Sequence, residues 1–176
     1  MSIVACRVNK DNYEIAADSI TVRGYTQEKG DRTKHSKLWE SNGLIVGGVG
    51  FCEELGLLQF FAGTHQLAAA TEGALLEFLV EFSAWKKRKI NKPELENSYL
   101  MGIEDIILYV NQWHITRVST FEAIGAGEDF ALAALHLGHS AEEAVRVATE
   151  LSIYCETPIQ VKRRTFKGEG KGVADA

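Results

Sequence analysis

The chain has 176 residues, 45% of them hydrophobic and 24% charged, with two prolines and a formal charge of −5. That length suffices for one core flanked by more than one layer, and the acidic balance argues against nucleic acid as a partner, because phosphate binding wants a concentrated basic face. No stretch reaches the roughly 18 apolar residues of a membrane span, and residues 1–20 lack the basic start and apolar run of a signal peptide. The expectation is a cytoplasmic protein without a membrane partner. Cys6, Cys52 and Cys155 are odd in number and far apart, with no Cys-x-x-Cys spacing, which fits a reducing compartment.

In chain order, SIVACRV (2–8) and YEIAADSITV (13–22) alternate as two strands of a hairpin across the polar turn NKDN. The Met-Ser start runs directly into the first of these. RGYTQEKGDRT reads as a loop, and KHSKLWE and GLIVGGVGF as short strands about the turn residues Ser41, Asn42 and Gly43. From Glu53 the period becomes helical, with Leu55, Leu58 and Phe61 and later Leu75, Leu79 and Phe82, so that helices are expected over 52–66 and 69–88. The basic run WKKRKINK (85–92) reads as the solvated end of the second helix.

KPELEN is a connection, and residues 98–124 return to β-branched and aromatic strand character. EDFALAALHLG, closed by Gly138, and SAEEAVRVATELSIYC, opened by a Ser140/Glu143 capping box, form a second helix pair. TPIQVKRRTF reads as a last strand, and residues 168–176 are expected to be a flexible tail to a single domain over 1–167. Segregated strands and helix pairs in this order predict an α+β protein with sheets packed between helices.

Three polar residues sit where the pattern does not ask for them. Asp18 interrupts the apolar run IAADSI, where an ionised carboxylate is costly unless paired. Ser2, Asp18 and Lys34 follow one another at equal steps along the chain, a spacing that lets a hairpin and the next strand bring them to one end of a sheet. Ser2 is then either a capping residue or a group held by the strand in a site. Gly47, Gly48 and Gly50 either let a strand pass close to a helix or offer backbone N–H groups to a ligand. GAGEDF reads on its own as a glycine-rich entry to a helix that places Glu128 and Asp129 at its positive end. Cys6 shares a strand face with Val4 and Val8, which assigns it to packing. No metal or cofactor is expected: the five histidines show no ligand spacing, and no G-x-x-x-x-G-K-[ST] phosphate loop occurs.

SIVACR, AAD, KHSKLW, IVGGVG and IGAGEDFALAA stand in the order of five motifs that mark the proteasome β-subunit family, and the sequence most resembles its HslV-type branch. The resemblance covers roughly residues 2–60 and 121–156. It implies the N-terminal nucleophile hydrolase fold, a four-layer αββα sandwich, and a peptidase whose first mature residue is both nucleophile and base. Carried over by motif, Met1 is removed, the Ser2 hydroxyl attacks the scissile carbonyl and the freed α-amine takes its proton. Lys34 lowers the pKa of that amine, Asp18 holds Lys34, and Gly47 offers its N–H to the oxyanion. A self-compartmentalising homo-oligomeric ring, a polypeptide substrate and a separate unfolding ATPase are implied in the same way.

The sequence also departs from the family. Serine replaces the usual threonine nucleophile, Ala126 stands where a serine usually supports the terminal amine, and Glu150 where an aspartate often supports that serine. Retention of Met1 would block the mechanism by making the Ser2 amine an amide. These departures leave a catalytically silent ring scaffold, or a small-molecule amidase, as alternatives.

Overall fold

The computed structural model describes residues 2–28 and 36–166. The tail expected over 168–176 lies outside the described residues. Two sheets form the middle of the molecule. The first is antiparallel and four-stranded, in the order β10 (Phe121–Gly125), β1 (Ile3–Val8), β2 (Asn12–Ala17), β11 (Gln160–Thr165). The second is a five-stranded meander of β5 (Leu38–Ser41), β6 (Leu44–Val49), β7 (Ser98–Ile103), β8 (Ile106–Asn111) and β9 (His114–Arg117). A short ribbon of β3 (Thr21–Arg23) and β4 (Thr26–Glu28) stands apart from both.

Alternation along β1 shows how the layers are specified. Ile3 and Ala5 face one core, shared with α3 (Glu128–His136) and α4 (Ala141–Leu151), while Val4 and Cys6 face another, between the sheets. A strand buried on both faces cannot be half polar, and Ile3 to Cys6 are all fully buried. The outer face of the second sheet packs on α1 (Cys52–Ala62) and α2 (Glu72–Ile90) through Val46, Tyr99, Met101 and Leu108. The result is the expected αββα sandwich.

The two helical layers differ in thickness for a reason written in their side chains. The α3/α4 core is built mainly of alanines, among them Ala131, Ala134, Ala144 and Ala148, so the helices lie close on the first sheet. The α1/α2 core is filled instead by Phe61, Phe78, Phe82 and Tyr99, each large enough that burial contributes about 1.5–3 kcal/mol.

The turns follow their residues. Asn42 (φ 48°) and Gly43 (φ 78°) close the β5–β6 hairpin in two residues, the left-handed pair that suits a right-twisted hairpin. Ser140 and Glu143 form the expected capping box of α4. Several elements differ from expectation. The strand expected over 13–22 ends at Ala17, because the Asp18 carboxylate accepts the Ile20 N–H at 3.3 Å and turns the chain away from the sheet. The loop after it contains β4, and residues 98–124 divide into four strands. Helix α1 stops at Ala62, and α2 begins only at Glu72, with the Thr71 hydroxyl as its cap. The basic run is not wholly solvated: Lys86 is buried and forms an ion pair with Glu54 at 2.5 Å.

Candidate active site

Ser2 precedes β1 and is buried at the head of the first sheet. Its carbonyl accepts the Gly127 N–H at 3.3 Å, in the turn between β10 and α3. Gly125, at φ +109°, passes so close that a Cβ there would lie 3.0 Å from the Ser2 carbonyl carbon. The IGAG segment is thus a seat for the start of β1, and glycine is required at 125 both by φ and by space.

Asp18 lies just past the end of β2, opposite the start of β1, with no exposed surface. Its Oδ1 accepts the Ile3 N–H at 3.0 Å and the Lys37 ammonium at 2.6 Å. Its Oδ2 accepts the N–H groups of Ile20 at 3.3 Å and Glu156 at 3.2 Å. One carboxylate therefore gathers the first peptide of β1, the chain after β2, the segment before β11 and a buried cation. Four donors of this kind are what allow the charge to remain in a closed interior.

The cation is Lys37. Lys34, expected to pair with Asp18, lies outside the described residues; among the described residues Lys37 is the cation that pairs with Asp18. Equal spacing in sequence carries no information on register across the β3–β4 ribbon, which lies between β2 and β5. A better signal was available in the sequence: Lys37 immediately precedes Leu38-Trp39, the start of a strand whose two-residue turn fixes Leu38 opposite Gly47. Burial lowers the pKa of Lys37 from the ordinary 10.5, and the neighbouring Asp18 carboxylate opposes that shift. Since Lys37 and the Ile3 N–H share one oxygen, the ammonium lies beside the Ser2–Ile3 peptide.

Gly47 is placed differently from expectation. It lies inside β6, opposite Leu38 on one side and Leu100 on the other. Amide groups of successive strand residues point to opposite edges. Gly48 N–H points to β5, where it donates to the Lys37 carbonyl at 3.0 Å, so Gly47 N–H points to β7, into the ladder. Glycine is needed at 47 for packing: a Cβ would lie 2.6 Å from Val4 Cγ1 and 3.2 Å from Ile15 Cγ2. Gly47→Ala is accordingly expected to lower stability by about 1–3 kcal/mol by overpacking the space between the sheets. Thermal unfolding checks this, and an unchanged midpoint would contradict the packing assignment.

Ser2 and Lys37 open onto a cavity of about 110 Å³, lined further by Ile20, Thr21 and Val22 and by Gly50, Cys52 and Leu55. Gly50 follows β6 directly, at φ +130°. Of the remaining expected residues, Ala126 and Glu150 are both exposed. Cys6 lies in the core between the sheets, where burial pushes its thiol far up. Cys155 is buried close to the site; its thiol is pushed up by burial and by the Asp18 carboxylate. Both are protonated packing groups.

This arrangement defines the class of the fold. The protein has the fold of the proteasome β-subunit and HslV-like N-terminal nucleophile hydrolases. BPH from Thiobacillus denitrificans, in a complex with epoxomicin, superposes with a TM-score of 0.82 at 19% identity, over 94% of this chain and 99% of that one. HslV from Trypanosoma brucei matches with a TM-score of 0.68 at 18% identity, over 92% of this chain and 98% of the other. Anbu, described as an ancestral β-subunit, from Yersinia bercovieri, matches with a TM-score of 0.71 at 12% identity, over 93% and 81%. No protein-family model and no curated protein sequence matches the chain. Among the described residues no helix is long and apolar enough to cross a membrane.

Proposed function

We propose that the protein is an N-terminal-serine peptidase that works in a homo-oligomeric ring. The observation that carries this reading is the buried Lys37–Asp18 pair at 2.6 Å, with the same Asp18 oxygen bound to the peptide that follows Ser2. A buried ion pair is seldom more stable than an apolar pair of the same shape. Its value here is a fixed positive charge beside the amino end of β1.

Once Met1 is removed, the Ser2 hydroxyl attacks the scissile carbonyl and its proton passes to the α-amine. That amine has an ordinary pKa of about 7.7–8.0, and the Lys37 ammonium lowers it further, so the neutral base is present near pH 7. Asp18 keeps Lys37 in place. The oxyanion role first assigned to Gly47 passes to the cavity edge of β6: Gly48 N–H is engaged by the Lys37 carbonyl, and Gly50 is the glycine that lines the cavity. As the tetrahedral adduct collapses, its C–N bond breaks, the α-ammonium gives the proton to the leaving amine, and an ester is left on Ser2. Water, deprotonated by the same amine, then hydrolyses the ester, and the proton returns to the Ser2 oxygen.

Assembly is supported by exposed large apolar side chains on both helical layers: Phe60 on α1, and Leu137, Leu151 and Ile153 around α3 and α4. A polypeptide substrate, a separate unfolding ATPase and a cytoplasmic location belong to the same reading. The exposed Ala126, which brings no hydroxyl to the turn that seats Ser2, favours the silent-scaffold alternative. Incubating size-separated protein with unfolded casein and with a short acyl amide decides among the readings. Casein cleavage in the oligomer fraction is the expected result; hydrolysis of the amide alone would indicate an amidase, and neither reaction a scaffold.

A further inference from the structure

One wall of the cavity is held by an arrangement that the mechanism above does not use. Gly50, Cys52 and Leu55 form this wall, where β6 gives way to α1. Phe51, between them, has a side chain too exposed to anchor it by packing. Its backbone is held instead by Asn97, which is buried just before β7. The Phe51 N–H donates to Asn97 Oδ1 at 2.6 Å, and Asn97 Nδ2 donates to the Phe51 carbonyl at 3.0 Å. This two-point clasp lies just past the last β6–β7 pair, Val49 with Ser98, and is made by a side chain instead of by backbone pairing. Gly50, at φ +130°, makes the clasp possible, since a Cβ there would run into Asn97.

Asn97 is itself held. Its N–H donates to Glu54 Oε1 at 3.1 Å, and the Glu96 N–H donates to the same carboxylate at 3.2 Å. The buried Glu54 also accepts Lys86 Nζ at 2.5 Å and the Tyr99 hydroxyl at 2.8 Å. Burial and the Glu54 charge keep the Tyr99 phenol protonated and donating. Lys86 donates in addition to the Glu94 carbonyl. The carboxylate thus ties the first turn of α1 to the last turns of α2 and to the chain entering β7. A hub of this kind orients its neighbours more than it stabilises them, because an apolar group of the same shape often serves stability as well.

We propose that Asn97 is a positioning residue that, fixed by the Glu54–Lys86 hub, sets the distance between the Gly50–Cys52 wall and Ser2 and so governs how the acyl group is held in the cavity. The proposal rests on Ser2 being the nucleophile, and its test therefore has one readout that depends on that reaction and one that does not. Cys52 lines the cavity and is the more accessible of the thiols, Cys6 and Cys155 being buried. Asn97→Ala, and Asn97→Asp as the variant that keeps the acceptor for Phe51 but loses the donor, are compared with wild type in two measurements. The first is the rate at which Ellman's reagent modifies Cys52, located by peptide mass. The second is the KM and kcat for a short peptide substrate.

Loosening of the wall is expected to speed Cys52 modification and to raise KM, each by about tenfold, in Asn97→Ala, with a smaller change in Asn97→Asp, since a displacement of about 1 Å suffices for effects of this size. Wild-type Cys52 reactivity and KM in a folded Asn97→Asp or Asn97→Ala protein would overturn the proposal. If wild type itself neither cleaves peptide nor reacts at Ser2, the nucleophile reading fails, and the proposed effect on catalysis fails with it. The Cys52 rate then reports on the clasp alone.

Discussion

Replacing Ser2 by alanine is expected to abolish peptide hydrolysis, by about 10⁴-fold or more, while leaving the protein folded. The size of the loss follows from the role: the hydroxyl is the attacking atom, and groups that act as one unit with it cannot compensate for its absence. The stability side follows from position. Ser2 precedes β1 and contributes its carbonyl to Gly127 N–H, a contact that alanine keeps, and the apolar alternation of β1 begins only at Ile3. Steady-state turnover and thermal unfolding of the same preparation check both halves. Turnover within tenfold of wild type would remove Ser2 from the mechanism.

Lys37→Met is expected to lower turnover by roughly 10²–10³-fold, as loss of a fixed electrostatic contact in a closed site does, and also to destabilise the protein. The Asp18 carboxylate would remain buried without its cation, which costs about 3–5 kcal/mol. The double variant Asp18→Asn, Lys37→Met separates the two effects, because it removes both charges: stability should be partly restored and activity should not. The pH profile gives a second test. The α-amine must be neutral and Lys37 charged, so the acid limb belongs to the amine and the alkaline limb to Lys37.

Without Lys37 the acid limb should move up toward the ordinary amine value of about 7.7–8.0. In Asp18→Asn, Lys37 loses the charge that opposes its burial, and the alkaline limb should move down. The stability term has a definite sign. Because the folded Lys37 value is depressed below 10.5, the unfolded chain holds more proton between the two values, and the contribution of Lys37 to stability rises with pH across that window. Wild-type limbs in both variants would exclude Lys37 from the chemistry.

Much of the architecture was legible because burial on two faces leaves a strong mark. The unbroken run Ile3 to Cys6 and the alanines of α3 and α4 specify a sheet with cores on both sides. The binding of Asp18 was legible for the opposite reason: an acid within IAADSI has no place in an apolar strand unless something binds it, and four donors do. Lys37 was missed because register depends on how many residues a ribbon such as β3–β4 takes up, which even spacing cannot reveal. Gly47 was misread because a glycine that makes room for Val4 and Ile15 looks the same in sequence as one that exposes its N–H. Glu54 and Lys86, 32 residues apart, had no signal at all, since each sits among other charges in a helix with solvated faces.

The central claim is that Ser2 presents a reactive hydroxyl and a free amine side by side. Intact mass of protein purified without an amino-terminal tag, before and after incubation with epoxomicin, tests this most directly, because the reagent needs both groups. The account predicts a starting mass lower by one methionine, then a gain of one epoxomicin per chain, located on Ser2 and lost in Ser2→Ala. A mass that retains Met1 and does not change on incubation would contradict it.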